Sequence, residues 1–283
     1  MATISGEKTI LDKIVEARRE SIAHRKRVLP DVALKIAAQK AGPPRDFAGA
    51  LSRSGSGYNV IAELKKASPS RGVLREDYHP ALLAPKLETA GAAALSVLTE
   101  EEFFQGSLAH LKEVKKVTQI PILRKDFIVD PWQVWEARAA GADTFLLIAA
   151  VLSDGTLREL LELGRTLKME PLVEVHSRGE LDRVLAAGAK IVGVNNRDLR
   201  NFQVRFETSL DLIESIPEDC IAVSESGLNN RADLERLRAA GFDAFLIGET
   251  VMRAEDPGEP LRELIGRGDD GTKQAGSDAS GRA

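Results

Sequence analysis

PILRKDFIVDPWQVWEARAAGADTFLLIAA, residues 121–150, contains one complete repeating unit of the chain. An apolar run, PILRK (121–125), leads into a segment of helical period that carries Trp132 and Trp135. Ala140-Gly141-Ala142 and a second apolar run, DTFLLIA (143–149), follow. Short runs rich in Val, Ile and Leu joined by an amphipathic segment are the pattern of two parallel strands and their crossover helix. The pattern continues in both directions. Strands are expected at NVIAEL (59–64), AALSVL (93–98), PLVEV (171–175), KIVGVN (190–195), CIAVSE (220–225) and DAFLIG (243–248), which makes eight with the two above. The turn repeats as well, in Ala90-Gly91-Ala92, Ala187-Gly188-Ala189 and Ala240-Gly241-Phe242, so the four glycines fall 50, 47 and 53 residues apart. That spacing is two βα units of about 25 residues. Each glycine suits the left-handed cap of the helix that precedes strand two, four, six or eight. Eight strands buried on both sides within roughly 200–250 residues suit a closed (β/α)8 TIM barrel of the α/β class. A doubly wound open sheet is the alternative, but the Gly-rich dinucleotide loop it often carries is absent after the first strand.

Residues 1–57 stand outside the repeat. Ile10, Leu11, Ile14 and Val15 make a helical stripe and Val32 to Lys40 a second, while Pro43-Pro44 breaks the chain before a short segment at Phe47 to Leu51. The expectation is an N-terminal helical extension packed on a barrel at 58–267. Residues 268–283, mostly Gly, Ser, Asp and Ala, are expected to form a disordered tail.

The chain has 283 residues, 43% hydrophobic, enough to bury a sizeable core. Lys plus Arg total 39 against 43 Asp plus Glu, a net charge of −4, so no basic face points to nucleic acid or an anionic membrane. Cys220 is the single cysteine and lies in the apolar run CIAV, which excludes internal disulfides and cysteine-based metal sites and suits core packing. Glu7, Asp12 and Glu16 interrupt the N-terminus, which does not read as a secretory signal. No stretch approaches the roughly 18 to 20 apolar residues of a membrane span, so the expected compartment is the reducing cytoplasm.

In such barrels the chemistry sits at the C-terminal ends of the strands. Strand one ends in Glu63 and Lys65, strand three in Lys125, strand five in Glu174, strand six in Asn195 and strand seven in Glu225-Ser226-Gly227. Glu63 with Lys65, Leu123 with Lys125, Leu172 with Glu174, and Val223 with Glu225 share parity, so all point to the barrel interior while the remaining Val and Ile face the helices. The alternative is a set of rim salt bridges, common and worth little. Against it, two lysines and three glutamates in one desolvated mouth perturb one another's proton affinities, which is how acids and bases are prepared. Ser226-Gly227 and Gly248-Glu249, after strands seven and eight, stand where barrels often bind phosphate, and the turn SPSRG (68–72) offers further donors. Taken alone, each glycine pair is also compatible with a simple tight turn. Arg197 either pairs with Asp198 or reaches an anion. His24, His79 and His110 are expected at the surface, with no His pair at metal spacing. His176 shares parity with Glu174 one step further out and is a candidate for substrate contact. Trp132 and Trp135 are expected to pack a helix.

AELKKASPSRG (62–72), TEEEFFQGS (99–107), ILRKDFIVDPWQVWEARAAGAD (122–143), PLVEVH (171–176), GVNNRDL (193–199), SESGL (224–228) and AFLIGETVMR (244–253) together resemble the indole-3-glycerol phosphate synthase family, over nearly the whole barrel and in order. The resemblance implies the substrate 1-(2-carboxyphenylamino)-1-deoxyribulose 5-phosphate, which cyclises, loses carbon dioxide and then water in tryptophan biosynthesis. It implies Lys125 as the acid that protonates the ketone oxygen, with Lys65 near the substrate carboxylate and also implicated in proton transfer. Glu174 is implied as the acid or base of the dehydration, Glu63 and Asn195 as holding hydroxyls, and Glu225 as lining the same cup. Phosphate is expected on Ser68, Ser226, Gly227, Gly248 and Glu249, the last through its N–H with its carboxylate turned away. Phe104 and Phe127, joined by Leu199, are expected to wall the anthranilate ring. A lysine near other cations is expected to have a lowered pKa. No metal or organic cofactor is implied, and a monomer is the working expectation. Three rivals stand beside this reading. They are a Schiff-base aldolase using Lys125, a sugar-phosphate isomerase that would need a Cys base near strand one, and a non-catalytic phosphometabolite sensor with no need of both lysines and Glu174.

Overall fold

The computed structural model describes residues 8–52, 57–198 and 202–267. Eight parallel strands close into a barrel in sequence order. They are β1 (Asn59–Leu64), β2 (Ala94–Leu98), β3 (Ile122–Lys125), β4 (Thr144–Ile148), β5 (Leu172–Val175), β6 (Ile191–Asn195), β7 (Ile221–Glu225) and β8 (Ala244–Ile247). Closure comes from β1, which pairs with β8 through Asn59↔Ala244 and with β2 through Ile61↔Ala94. All eight strands lie where the apolar runs placed them, because a strand buried on both faces has no polar face to blur its signal. Val60, Ala62, Leu64, Val97 and Phe245 pack outward under the helices. Ile61, Leu123, Leu146, Leu172, Val223 and Leu246 fill the interior.

The crossover helices are α4 (Pro80–Ala90), α5 (Leu108–Val117), α6 (Pro131–Ala140), α7 (Asp154–Thr166), α8 (Arg178–Ala186), α9 (Glu207–Ile213) and α10 (Arg231–Ala240), followed by α11 (Glu249–Arg253) and α12 (Gly258–Ile265). Gly91, Gly141, Gly188 and Gly241 all have positive φ, between +88° and +123°, in the turns before β2, β4, β6 and β8. A side chain would be strained there, which is why glycine recurs at that spacing. The residue two after Gly141 and Gly241 has a further use. Asp143 Oδ2 accepts the Ile122 N–H at 2.9 Å and Asp243 Oδ2 accepts the Ala222 N–H at 2.9 Å, so each carboxylate anchors the start of the preceding strand.

Three helices precede the barrel: α1 (Ile10–Val28), α2 (Asp31–Lys40) and α3 (Phe47–Leu51). Phe47 and Leu51 of α3 enter the interior cluster from the N-terminal end, where the Asn59 side chain donates to Leu51 O at 2.9 Å. Leu11 and Ile14 of α1 join the same cluster beside Phe104 and Phe127. Trp132 packs with Ile22 and Leu34 and donates to Leu29 O, so it serves helix packing as its spacing implied. Cys220 is buried. The tail expected at 268–283 lies outside the described residues. Among those residues, no helix is long and apolar enough to cross a membrane.

Candidate active site

Alternation along the strands decides what enters the mouth. Lys125, Glu174 and Glu225 share parity with the interior residues Leu123, Leu172 and Val223, and Asn195 does so with Ile191. They meet at the C-terminal end with Glu63, and with Lys65 just beyond β1, around one cavity.

Lys125 stands between two carboxylates from across the barrel. Its Nζ donates to Glu225 Oε2 at 2.6 Å and to Glu174 Oε2 at 3.0 Å. Glu174 Oε1 accepts from Asn195 Nδ2 at 3.0 Å, and Asn195 Oδ1 accepts from the Arg197 N–H at 3.0 Å. Lys65 Nζ donates to Glu63 Oε1 at 2.6 Å. Glu174, Glu225, Glu63 and Asn195 are buried.

The electrostatics correct one expectation. The Lys125 pKa is raised, not lowered: burial pushes it down, but Glu225, Glu174 and Glu63 together outweigh burial. Parity brought the second lysine to the mouth, yet the neighbours that decide are anions. Glu225 is pushed up to about 7, first by burial and then by Glu174, with Lys125 opposing. Glu174 is held below its ordinary value because Lys125, His176 and Asn195 outweigh its burial. Two carboxylates on one ammonium thus differ in proton affinity, and Glu225 Oε1 is buried without a hydrogen-bond partner among the described residues.

The cup has two halves. The first is walled by Phe104, Phe127, Leu98, Leu146 and Ile148 over the Lys125 cluster. The Phe104 and Phe127 rings lie in tilted contact, with centroids 6.1 Å apart and planes 40° apart. The second half is polar, lined by Arg71, Arg197, Ser226, Gly227, Gly248 and Glu249. Ser226 (φ +67°) and Gly227 (φ +74°) turn the backbone sharply there. Ser68 lines the first half and not the second. Leu199 lies outside the described residues.

Two more expectations are corrected. The Glu249 carboxylate is not turned away: Oε1 lies 3.2 Å from Arg71 Nε and Oε2 lies 3.6 Å from Arg197 Nη2, because two cations draw it into the cup. His110 is half-buried edge-on to Tyr78, with burial lowering its pKa, while His24 and His79 are exposed. His176 does not line the two halves; its Nε2 bonds the Arg197 carbonyl oxygen. Leu98, Leu146, Ile148 and Leu246 line the cup and were not singled out from sequence. Their strand parity was the available signal, masked by their being ordinary core residues in type. Arg71 was hidden in the turn SPSRG. Among the described residues, no group of three His, Cys, Asp or Glu is placed to hold a metal ion.

Residues 11–264 match the family model described as indole-3-glycerol phosphate synthase. A protein of that name from Burkholderia vietnamiensis (strain G4 / LMG 22486) is 48% identical over 258 residues, spanning 90% of this chain and 98% of the relative. One from Variovorax paradoxus (strain S110) is 48% identical over 262 residues, with the same coverage of 90% and 98%. Among solved structures, 3-hexulose-6-phosphate synthase from Salmonella typhimurium superposes with a TM-score of 0.60 at 13% identity, over 74% of this chain and 97% of that one, a likeness of fold alone.

Proposed function

The chain belongs to the indole-3-glycerol phosphate synthase family, and from that premise we propose how its cup performs the reaction. The activity is that of a carboxy-lyase in tryptophan biosynthesis, converting 1-(2-carboxyphenylamino)-1-deoxyribulose 5-phosphate to indole-3-glycerol phosphate, carbon dioxide and water. The apolar wall that Phe104 and Phe127 form with Leu98, Leu146 and Ile148 takes the anthranilate ring. The polar half takes the phosphate, with Ser226, Gly227, Gly248 and Glu249 offering backbone N–H groups, Arg197 a cation, and Ser68 a hydroxyl from the adjoining half.

Lys125 then lies between the two ends, at the ketone. The ring carbon that bears the carboxylate attacks the ketone carbon, and the Lys125 ammonium gives its proton to the oxygen. The carboxylates keep Lys125 protonated at neutral pH, so the acid form is in place. An incipient alkoxide is far more basic than an amine, so the proton crosses as the carbon–carbon bond forms. Loss of carbon dioxide restores the aromatic ring. Lys65 sits near the substrate carboxylate and assists proton transfer, held by Glu63. Glu174 exchanges the protons of the final loss of water, while Asn195, Glu63 and Glu225 orient the hydroxyls and Lys125. All of these groups come from one chain, so a monomer suffices.

The observation that carries this reading is the Lys125 ammonium bracketed by Glu174 and Glu225 beside an aromatic wall. The same observation disfavours Schiff-base chemistry, which needs a free amine. The test is indole fluorescence on mixing protein with substrate, with borohydride added in parallel. Turnover with no reduced adduct on Lys125 supports acid catalysis; a trapped adduct would overturn it.

A further inference from the structure

Glu249 sits at the first residue of α11, and its carboxylate is shared by three guanidinium groups from three segments of the chain. Arg71 comes from the turn after β1, with Nε 3.2 Å from Oε1. Arg197 follows β6, with Nη2 3.6 Å from Oε2. Arg253 lies one turn along the same helix, with Nε and Nη2 3.3 and 3.2 Å from Oε1. Arg71 and Arg197 line the polar half of the cup, whereas Arg253 does not. The carboxylate thus touches two cations on the cup side and one on its own helix, at the i,i+4 spacing that favours such a pair.

We infer that Glu249 is the resident counter-anion of this subsite: it holds Arg71 and Arg197 together before substrate binds and moves onto Arg253 when the substrate phosphate arrives. The inference rests on the reading above that the polar half takes phosphate. A phosphate brings about −1.5 to −2 of charge and three acceptor oxygens, against one charge on the carboxylate, and two arginines suit it well. The two anions cannot share the arginines without repulsion in a partly desolvated space, so one must leave. Glu249 is placed to do so, because a rotation about its own side chain exchanges two ion pairs for one without unfolding the helix. Its side chain keeps 30% of its accessible surface, so a route to solvent is open. Arg197 is poised for a stronger anion: burial lowers its pKa and Arg71 lowers it further, with Glu249 only partly compensating.

The cost of evicting Glu249 falls on binding, so it belongs to KM and to phosphate affinity, not to the proton transfers at Lys125. The probe is inorganic phosphate as a competitive inhibitor, measured with substrate KM in the parent, Glu249→Gln and Arg253→Met. Glu249→Gln is expected to bind phosphate at least about tenfold more tightly and to lower KM, since a like charge has been removed. Arg253→Met removes the alternative partner and is expected to raise both the inhibition constant and KM. If phosphate competes in the parent but binds Glu249→Gln equally or more weakly, Glu249 is a fixed pin and the inference is overturned while the phosphate reading stands. If phosphate does not compete in the parent, and Arg71→Met leaves KM unchanged, the phosphate reading itself fails and takes the inference with it.

Discussion

Arg18 of α1 grips Asp126 through both carboxylate oxygens, Nε to Oδ1 at 2.9 Å and Nη2 to Oδ2 at 2.6 Å. Asp126 lies between Lys125 and Phe127 in the chain and also receives Arg124 Nη2 at 2.9 Å and the Phe127 N–H at 2.8 Å. The same guanidinium donates to Thr99 O at 3.2 Å, at the head of the loop in which Glu100 Oε2 accepts the N–H groups of Phe103 and Phe104. One arginine from outside the barrel therefore ties together the segments that carry Lys125, Phe127 and Phe104. Buried as it is, the Asp126 carboxyl is held far below the usual range, because Arg124 and Arg18 outweigh the effect of burial.

Arg18→Met leaves a buried carboxylate short of a partner, and a loss of about 3–5 kcal/mol is expected for breaking such a pair. Denaturant unfolding at neutral pH measures it. The folded pKa of Asp126 is depressed, so its stabilisation is present above the unfolded value of about 4 and is lost as pH falls below it. The parent should therefore lose more stability than Arg18→Met between about pH 5 and about pH 2. Equal stability of the two proteins at neutral pH would show that the pair only breaks even.

Gly193 tests the placement of Glu225. A Cβ added there would overlap Glu225 Oε1 and lie 3.2 Å from a Leu172 methyl. Gly193→Ala must shift the Glu225 carboxylate from its place beside Lys125, and if Glu225 orients that lysine a misplacement of roughly 1 Å is expected to cost on the order of 10²-fold in kcat. Steady-state kinetics with circular dichroism separates this from misfolding; a folded Gly193→Ala enzyme at parent rate would mean that Glu225 has no role in orienting Lys125.

Glu225, with its pKa pushed up to about 7, charges and discharges near neutrality. Below that pH it takes a proton and Lys125 loses the nearer of its two anions. The kcat/KM profile should fall on the acid side with a midpoint near this value, and Glu225→Gln should flatten that limb at a lower plateau. Persistence of the limb unchanged in Glu225→Gln would assign it to another group.

The barrel was legible because both of its signals are local. A doubly buried strand is an apolar run, and a left-handed helix cap is a glycine at a fixed spacing. Strand parity then named Glu63, Lys125, Glu174 and Glu225 as interior. Parity gives the side on which a residue lies, and not its neighbour across the barrel. Lys125 and Glu225 are 100 residues apart in the chain and 2.6 Å apart in space, and that pairing reverses the expected shift of the lysine. The direction of the Glu249 carboxylate depends on Arg71 and Arg197 in two other loops, which no periodic pattern encodes. The tie from Arg18 to Asp126 spans 108 residues and carries no motif of its own.

If Lys125 and Glu174 act at different stages, as proposed, carbon dioxide release and indole formation come apart when both are measured in one single-turnover reaction. Lys125→Ala should lose both by at least about 10²-fold, because the ring cannot close without the acid. Glu174→Gln should release carbon dioxide in near-parent yield while indole formation falls by a similar factor, leaving the hydroxylated ring unconverted. Loss of both products in step in Glu174→Gln, or ring closure at parent rate in Lys125→Ala, would contradict the division of labour drawn from the cup.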